Sequence, residues 1–145
     1  MIDFFEKEYR FLSNFYSCPV VYNGVRYRNS EAAFQAQKNP TPQNIANFSI
    51  MNPSQAKKMG RSIALREDWD SVKDKIMYEI VLRKFYQNPD LREKLFATGD
   101  EYLEEGTWWH DNYWGNCHCK KCENIQGQNH LGIILMKVRE KLKHV

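Results

Sequence analysis

The sequence predicts a mainly helical α+β fold in a single domain spanning residues 1–145, with a small antiparallel sheet near the N-terminus. Three observations predict it. Asn23-Gly24 lies between two short β-prone runs. Apolar residues recur at helical spacing over residues 72–86 and again over 131–142. A chain of 145 residues, 42% of them hydrophobic, suits one domain with a real core.

The elements follow in order. Residues 19–22 and 25–28 flank Asn23-Gly24, a pair suited to a type I′ turn because both central residues need positive φ. On the second arm Val25 and Tyr27 alternate with Arg26 and Arg28, so one face is apolar and the other basic. Ser30 reads as the N-cap of a short helix over 31–38, which Pro40 and Pro42 end. Asn52-Pro53-Ser54-Gln55 combines a cap, a proline at the first helical position and a glutamine three residues on, and predicts a helix to Leu65. Residues 72–86 predict a longer helix with Ile76, Met77, Ile80, Val81 and Phe85 inward. Asn88-Pro89 starts another, with Leu91 and Leu95 inward and Gly99 as its stop. Residues 102–105 suggest a short strand. Residues 106–129 read as a long irregular connection, which in a small domain is functional or metal-stapled. The last helix, over 131–142, buries Leu131, Ile134, Leu135, Val138 and Leu142.

Charged residues make up 27% of the chain and aromatic residues 14%, with a formal net charge of +3. Bases and acids are interleaved, so the surface admits an anionic ligand without requiring nucleic acid. No stretch approaches the roughly 18 apolar residues of a membrane helix. The charged first ten residues lack the apolar core of a signal peptide. Three of the four cysteines cluster as Cys117, Cys119 and Cys122, with Cys18 far away, unlike a secreted disulfide framework. The expected location is the cytoplasm.

Three segments carry potential chemistry. Residues 108–115, Trp-Trp-His-Asp-Asn-Tyr-Trp-Gly, set three tryptophans around Asp111. Tryptophan is costly to expose, so the pattern suggests a walled cleft for a flat ligand such as a nucleobase, with an enclosed acid for proton transfer. The plain alternative is an aromatic core. On the helix over 31–38, Glu31, Gln35 and Lys38 share one face at spacings of four and three, presenting a carboxylate, an amide and an ammonium. An ordinary solvated ion pair would look the same, and an acid in the first turn favours the helix dipole. Residues 127–132, Gly-Gln-Asn-His-Leu-Gly, open onto the last helix with Asn129 as cap, where free N–H groups can receive a pyrophosphate. Arg10, Arg26, Arg28 and Arg61 are potential phosphate partners.

Cys117, Cys119 and Cys122 form a CxCxxC. Three thiolates need a fourth ligand to close a structural zinc site, and His110, His118, His130 or Cys18 can supply it. Reduced cysteines in a loop are the alternative.

Several of these segments together resemble one family. Residues 11–15 (FLSNF), 29–38 (NSEAAFQAQK), 59–61 (MGR), 111–115 (DNYWG), 127–132 (GQNHLG) and 135–139 (LMKVR) look, in this order and spacing, like the NADAR or YbiA-like family. The resemblance spans nearly the whole chain. It implies a compact, mainly helical α+β domain acting as an N-glycosidase on ADP-ribosyl or phosphoribosyl adducts: riboflavin-biosynthesis intermediates in some members, ADP-ribosyl-guanine in nucleic acid in others. It implies Glu31, Lys38 and Asp111 as catalytic residues. Asn14, Phe15, Gln35, Arg61, Trp114, Gly115 and Asn129 then line the substrate site. No cofactor is required. Two departures stand beside that site: Cys117 to Cys122 replace a short glycine-rich loop, and Trp108, Trp109 and His110 enrich the segment before Asp111.

Residues and resemblance meet on Glu31 and Asp111. Glycosidic cleavage passes through an oxocarbenium-like state that one acid can stabilise while another group activates water or protonates the leaving nitrogen. If the ribose opens, Lys38 can form a Schiff base with its aldehyde. The expected substrate is a nucleotide or ADP-ribosylated nucleic acid, with ADP-ribosyl-guanine favoured by the stacking capacity of Trp108 and Trp109. A non-catalytic ADP-ribose reader is the second reading. It explains poorly why carboxylates would line an anion site. A zinc-stabilised nucleic-acid module is the third, and the weak basic charge disfavours it.

Overall fold

The computed structural model describes residues 1–145, which cluster into two compact units: residues 14–92, and residues 1–13 together with 93–145. Helices dominate, with a small antiparallel sheet, as the sequence predicts.

The first unit begins with a hairpin, β1 (Ser17–Tyr22) and β2 (Val25–Asn29). Asn23 and Gly24 both have positive φ, 49° and 78°, the geometry that a tight twisted hairpin needs. The ladder pairs Val20 with Tyr27 and Tyr22 with Val25, and it shifts register between Ser17 and Val20. Gln87 closes one strand edge: its Oε1 accepts from Val21 N at 2.8 Å and its Nε2 donates to Val21 O at 2.9 Å. Four helices follow: α1 (Ser30–Ala36), α2 (Pro42–Ser49), α3 (Pro53–Gly60) and α4 (Trp69–Gln87). Small Ala32, Ala33 and Ala36 let α1 pack closely against α2, α3 and α4. Phe48, Met77, Ile80, Val81 and Phe85 complete this core.

Three local expectations change here. The cap of α1 is Asn29, whose Oδ1 accepts from Ala32 N at 2.7 Å, while Ser30 Oγ turns to Asn14 Oδ1 at 2.9 Å. The prolines at 40 and 42 do not merely end α1. Pro42 occupies the first position of α2, and Thr41 caps that helix by accepting from Asn44 N at 3.1 Å. The third helix stops at Gly60, leaving Leu65 outside it and exposed. Its capping box, Asn52 with Gln55, forms as expected.

α5 (Pro89–Ala97) carries the chain into the second unit, with Leu91 and Leu95 buried and Gly99 at φ 62° just past its end. The strand expected over 102–105 reduces to one parallel bridge, Leu103 with Ile2. The connection over 106–129 is more ordered than a loop. It holds a short parallel pair, β3 (Gly106–Thr107) with β4 (Asn116–Cys117), and a 3-10 turn, Lys120–Cys122. α6 (His130–Leu142) buries the predicted stripe and also Arg139, whose guanidinium donates to Thr98 Oγ1 at 2.8 Å and Glu101 O at 2.9 Å. No helix is long and apolar enough to cross a membrane.

Candidate active site

In the first unit the expected face is only partly realised: α1 ends at Ala36, so Glu31 and Gln35 lie on the helix while the half-buried Lys38 falls two residues beyond it. Glu31 and Gln35 are both buried, and Gln35 Nε2 donates to Glu31 Oε1 at 2.9 Å. A carboxylate taken out of water this far needs polar partners. Gln35 Nε2 is one such partner, and the start of α1 is fixed separately: Glu31 N donates to Asn14 O at 3.2 Å, Ser30 Oγ donates to Asn14 Oδ1, and Asn14 Nδ2 reaches Met77 Sδ at 3.4 Å. The polar atoms of Asn14 thus serve to anchor the Glu31 turn against α4. Lys38, just past the end of α1, donates Nζ to Gly60 O at 3.2 Å. Burial pushes its amine below the usual lysine range. The Glu31 charge opposes that shift, while Arg61 and Lys73 add to it. α3 ends against Gln35 so tightly that a β-carbon at Gly60 would overlap the Gln35 amide, which is why a residue without a side chain stands there. The Gln35 Oε1 is buried and without a hydrogen-bond partner, a rare state for a native amide. Arg61 and Phe15 are exposed, and the Lys57 ammonium sits 5.8 Å from the Phe15 ring centre.

In the second unit Asp111 is half-buried, and its Oδ1 accepts from Tyr113 N at 3.1 Å and Trp114 N at 2.9 Å. The acid therefore shapes its own turn, besides whatever chemistry it does. Gly115 lets the chain pass close to Glu105, whose carbonyl would meet a β-carbon there. Tyr113 stacks on His130 at 4.2 Å between ring centres, and Trp114 meets both rings edge-on at 4.9 and 6.2 Å. This small aromatic block was not anticipated, because nothing local links residue 113 to residue 130. Trp108 and Trp109 do not close a wall: they are 57% and 52% exposed, and Trp108 stacks on Phe4 at 5.6 Å.

The anion site expected at the start of α6 does not form. The N–H groups of Gly127, Gln128, Asn129, His130 and Leu131 donate in turn to Asn116 Oδ1, Asn112 O, Gly115 O, Tyr113 O and Trp114 O, at 2.8 to 3.1 Å. The 112–116 segment thereby consumes the donors that a phosphate would use. Asn129 does not cap α6 either. It adopts a left-handed conformation, its Oδ1 accepts from Glu105 N at 2.9 Å, and its Nδ2 donates to Leu103 O at 2.9 Å and to Tyr102 Oη at 3.2 Å.

The three clustered cysteines converge with His110: the four ligand atoms all lie within 4.8 Å of one another. His118 is turned elsewhere, 3.5 Å from Glu104 and packed on Phe4. His130 is engaged with Tyr113 and Gln128. Burial alone would raise the Cys117 thiol, but N–H donors from Cys119 and His110 and the neighbouring thiols hold it below its ordinary value. Burial and its sulfur neighbours push Cys122 up.

The chain is a mainly helical α+β fold in which Glu31 and Gln35 are buried on one short helix and Lys38 follows just past its end. The chain belongs to the NADAR domain family, which matches residues 3–143. It is 37% identical over 143 residues to the N-glycosidase Npun_R5314 of Nostoc punctiforme, covering 94% of this chain and 88% of that one. It is 37% identical over 138 residues to the N-glycosidase YbiA of Escherichia coli, covering 93% and 82% of the two chains. The NMR structure of the E. coli protein YbiA superposes with a TM-score of 0.83, at 34% identity, over 99% of this chain and 88% of that one. A longer relative, the riboflavin biosynthesis protein VVA0006 of Vibrio vulnificus, is 35% identical over 141 residues, which cover 95% of this chain and 37% of its own.

Proposed function

We propose that this protein is a hydrolase of N-glycosyl bonds, acting on a ribosyl N-glycoside that carries phosphate: an ADP-ribosyl or phosphoribosyl adduct. The observation that carries the reading is the α1 turn, where buried Glu31 is linked to Gln35 at 2.9 Å and is followed, just past the helix, by Lys38, whose amine burial pushes below the usual lysine range. Relatives named as N-glycosidases support the bond type.

The chemistry follows from those groups. The C1′–N bond breaks with its electron pair leaving on nitrogen, and positive charge spreads over C1′ and the ring oxygen. A desolvated carboxylate such as Glu31 stabilises that charge far better than water does. Water adds its oxygen to C1′, and its proton is passed to the leaving nitrogen. Lys38 offers a second course: its deprotonated amine attacks C1′ as the C1′–N bond breaks with its electron pair leaving on the base nitrogen, which takes up the proton lost by the amine. The C1′–O4′ bond then opens to give a Schiff base, and water hydrolyses that to the free sugar and returns the amine. In this proposal Asp111 is a second candidate acid and Trp114 a candidate stacking ring, and Asn14, Phe15, Gln35 and Arg61 in one unit and Gly115 and Asn129 in the other are candidate ligand contacts. Asn14 and Asn129 contribute by position, since their side chains are already bonded within the protein. The reaction draws on no cofactor. In this reading the protein works in the cytoplasm, where cysteines clustered as Cys117, Cys119 and Cys122 stay unpaired by disulfides.

Two substrates separate the possibilities. The name of the Vibrio relative supports phosphoribosyl intermediates of riboflavin biosynthesis. The exposed Trp108 and Trp109 rings support ADP-ribosyl-guanine, on whose base they could stack. Each is offered to the purified protein with Glu31→Gln as control, and products are read by mass spectrometry. Free ribose phosphate or ADP-ribose, lost in the control, establishes the activity and names the substrate. Tight ADP-ribose binding without turnover of either would replace the enzyme reading with that of a reader.

A further inference from the structure

We propose that His110, Cys117, Cys119 and Cys122 bind one zinc ion, and that this metal is structural. The ligand atoms are already assembled. Cys119 Sγ and Cys122 Sγ lie 3.3 and 3.4 Å from His110 Nδ1. With Zn–S of about 2.3 Å and Zn–N of about 2.0 Å, a tetrahedron places a sulfur and a nitrogen about 3.5 Å apart. The group closes to that geometry with movements of a few tenths of an ångström at these two edges. Three soft sulfurs and one imidazole select zinc among the common divalent ions, and a full set of four protein ligands leaves no open position for catalysis.

The surroundings are those of a metal centre. Cys117 Sγ accepts backbone N–H groups from His110 at 3.3 Å and Cys119 at 3.5 Å, the outer hydrogen bonds that stabilise a ligating thiolate. His110 adopts φ 69°, a left-handed conformation that costs energy for a residue with a β-carbon. That one strained residue aims its ring at two sulfurs and its amide at the third. The fold delivers each ligand separately: β3 beside β4 sets Thr107 against Cys117 and so brings residue 110 near, and the 3-10 turn returns Cys122, whose N donates to Cys119 O at 3.0 Å. His118, between two of the cysteines, faces Glu104 instead.

The metal would also hold the turn that follows His110. Asp111 is the next residue and organises Tyr113 and Trp114, so the zinc serves as a positioning element for that acid; this consequence rests on the glycosidase reading, whereas the binding site does not. The test uses the full chain, purified without chelator or affinity metal. Elemental analysis is expected to find one zinc per chain, and cobalt exchange to give thiolate charge-transfer and tetrahedral bands. Cys119→Ser and His110→Ala should each lose at least tenfold in zinc affinity, while His110→Cys retains both metal and cobalt spectrum. Iron in place of zinc, a disulfide among these cysteines, or metal-free protein with unchanged stability in chelator would each overturn the proposal. Metal content is read independently of turnover, so an inactive but zinc-loaded protein would count against the glycosidase alone. A zinc-stripped protein that keeps full activity would overturn the positioning role.

Discussion

Gln35 joins Glu31 one helical turn away through a 2.9 Å hydrogen bond, while its own Oε1 is buried and accepts none. The amide is thus committed to orienting the carboxylate, and its second polar atom is left without a partner to do so.

Glu31→Gln preserves shape and removes the charge. Turnover is expected to fall by about 10²- to 10⁴-fold, the scale of a lost acid–base or charge-stabilising group. The melting temperature should stay near that of the parent, because the variant still presents an oxygen to Gln35. Single-turnover rates with the mass-spectrometric readout decide it. A parent-like rate would remove Glu31 from the mechanism.

Gly60→Ala puts a methyl group where the Gln35 amide lies. Either the amide rotates and releases Glu31, or α3 moves. Destabilisation of about 1–3 kcal/mol by overpacking is expected, with a drop in kcat larger than any change in KM. Urea midpoints and steady-state kinetics measure the two effects. Parent-like values in both would show that the Gln35–Gly60 approach is slack.

The Lys38 amine titrates below 10.5 in the folded chain, chiefly because it is buried. Between that lowered value and the ordinary one, the unfolded chain binds more protons, so the stability this residue contributes rises with pH through the window and is poorest below it. Lys38→Met should therefore be more stable than the parent at neutral pH, with the advantage shrinking toward pH 10.5. If the neutral amine is the nucleophile, turnover in the parent climbs with pH across the same window, and borohydride captures a sugar adduct on Lys38. Stability curves that stay parallel at all pH values would contradict the burial argument.

Asp111→Asn and Asp111→Ala separate shape from charge. Asn retains an oxygen for the Tyr113 and Trp114 amides; Ala leaves both without their acceptor. Thermal melts should show the Ala variant weaker by about 0.5–2 kcal/mol and the Asn variant close to the parent. A large loss of activity in Asn with an intact melt would assign chemistry to the carboxylate. Equal melting losses in both variants would mean that the charge, not the turn, is what matters.

Where a few neighbouring residues set the outcome, it was readable in advance. Asn23-Gly24 makes its hairpin because only positive φ closes that turn. Glu31 and Gln35 share a face because helical geometry alone dictates it, whereas Lys38, expected on the same helix, lies just past its end at Ala36. The capping box at Asn52, the stop at Gly99 and the stripe of α6 follow for similar reasons. The errors at short range came from signals with two meanings. Proline ends one helix and begins the next, so Pro42 hid α2, and Asn29 and Ser30 competed for one cap.

By itself, then, the sequence determined the fold class, the polar face of α1 and the presence of three thiols close enough to share a metal. Only the tertiary structure decided that His110, and not His118 or His130, joins them, since that depends on the β3–β4 pairing and on a left-handed turn. It also decided that the first N–H groups of α6 are spent on the carbonyls of residues 113 and 114. Likewise it made Asn129 a brace for Glu105 and Leu103 rather than a cap. The physical reason is common to all three: a backbone donor or a side-chain amide binds the best acceptor that packing brings to it, and contacts across many residues carry no local signature.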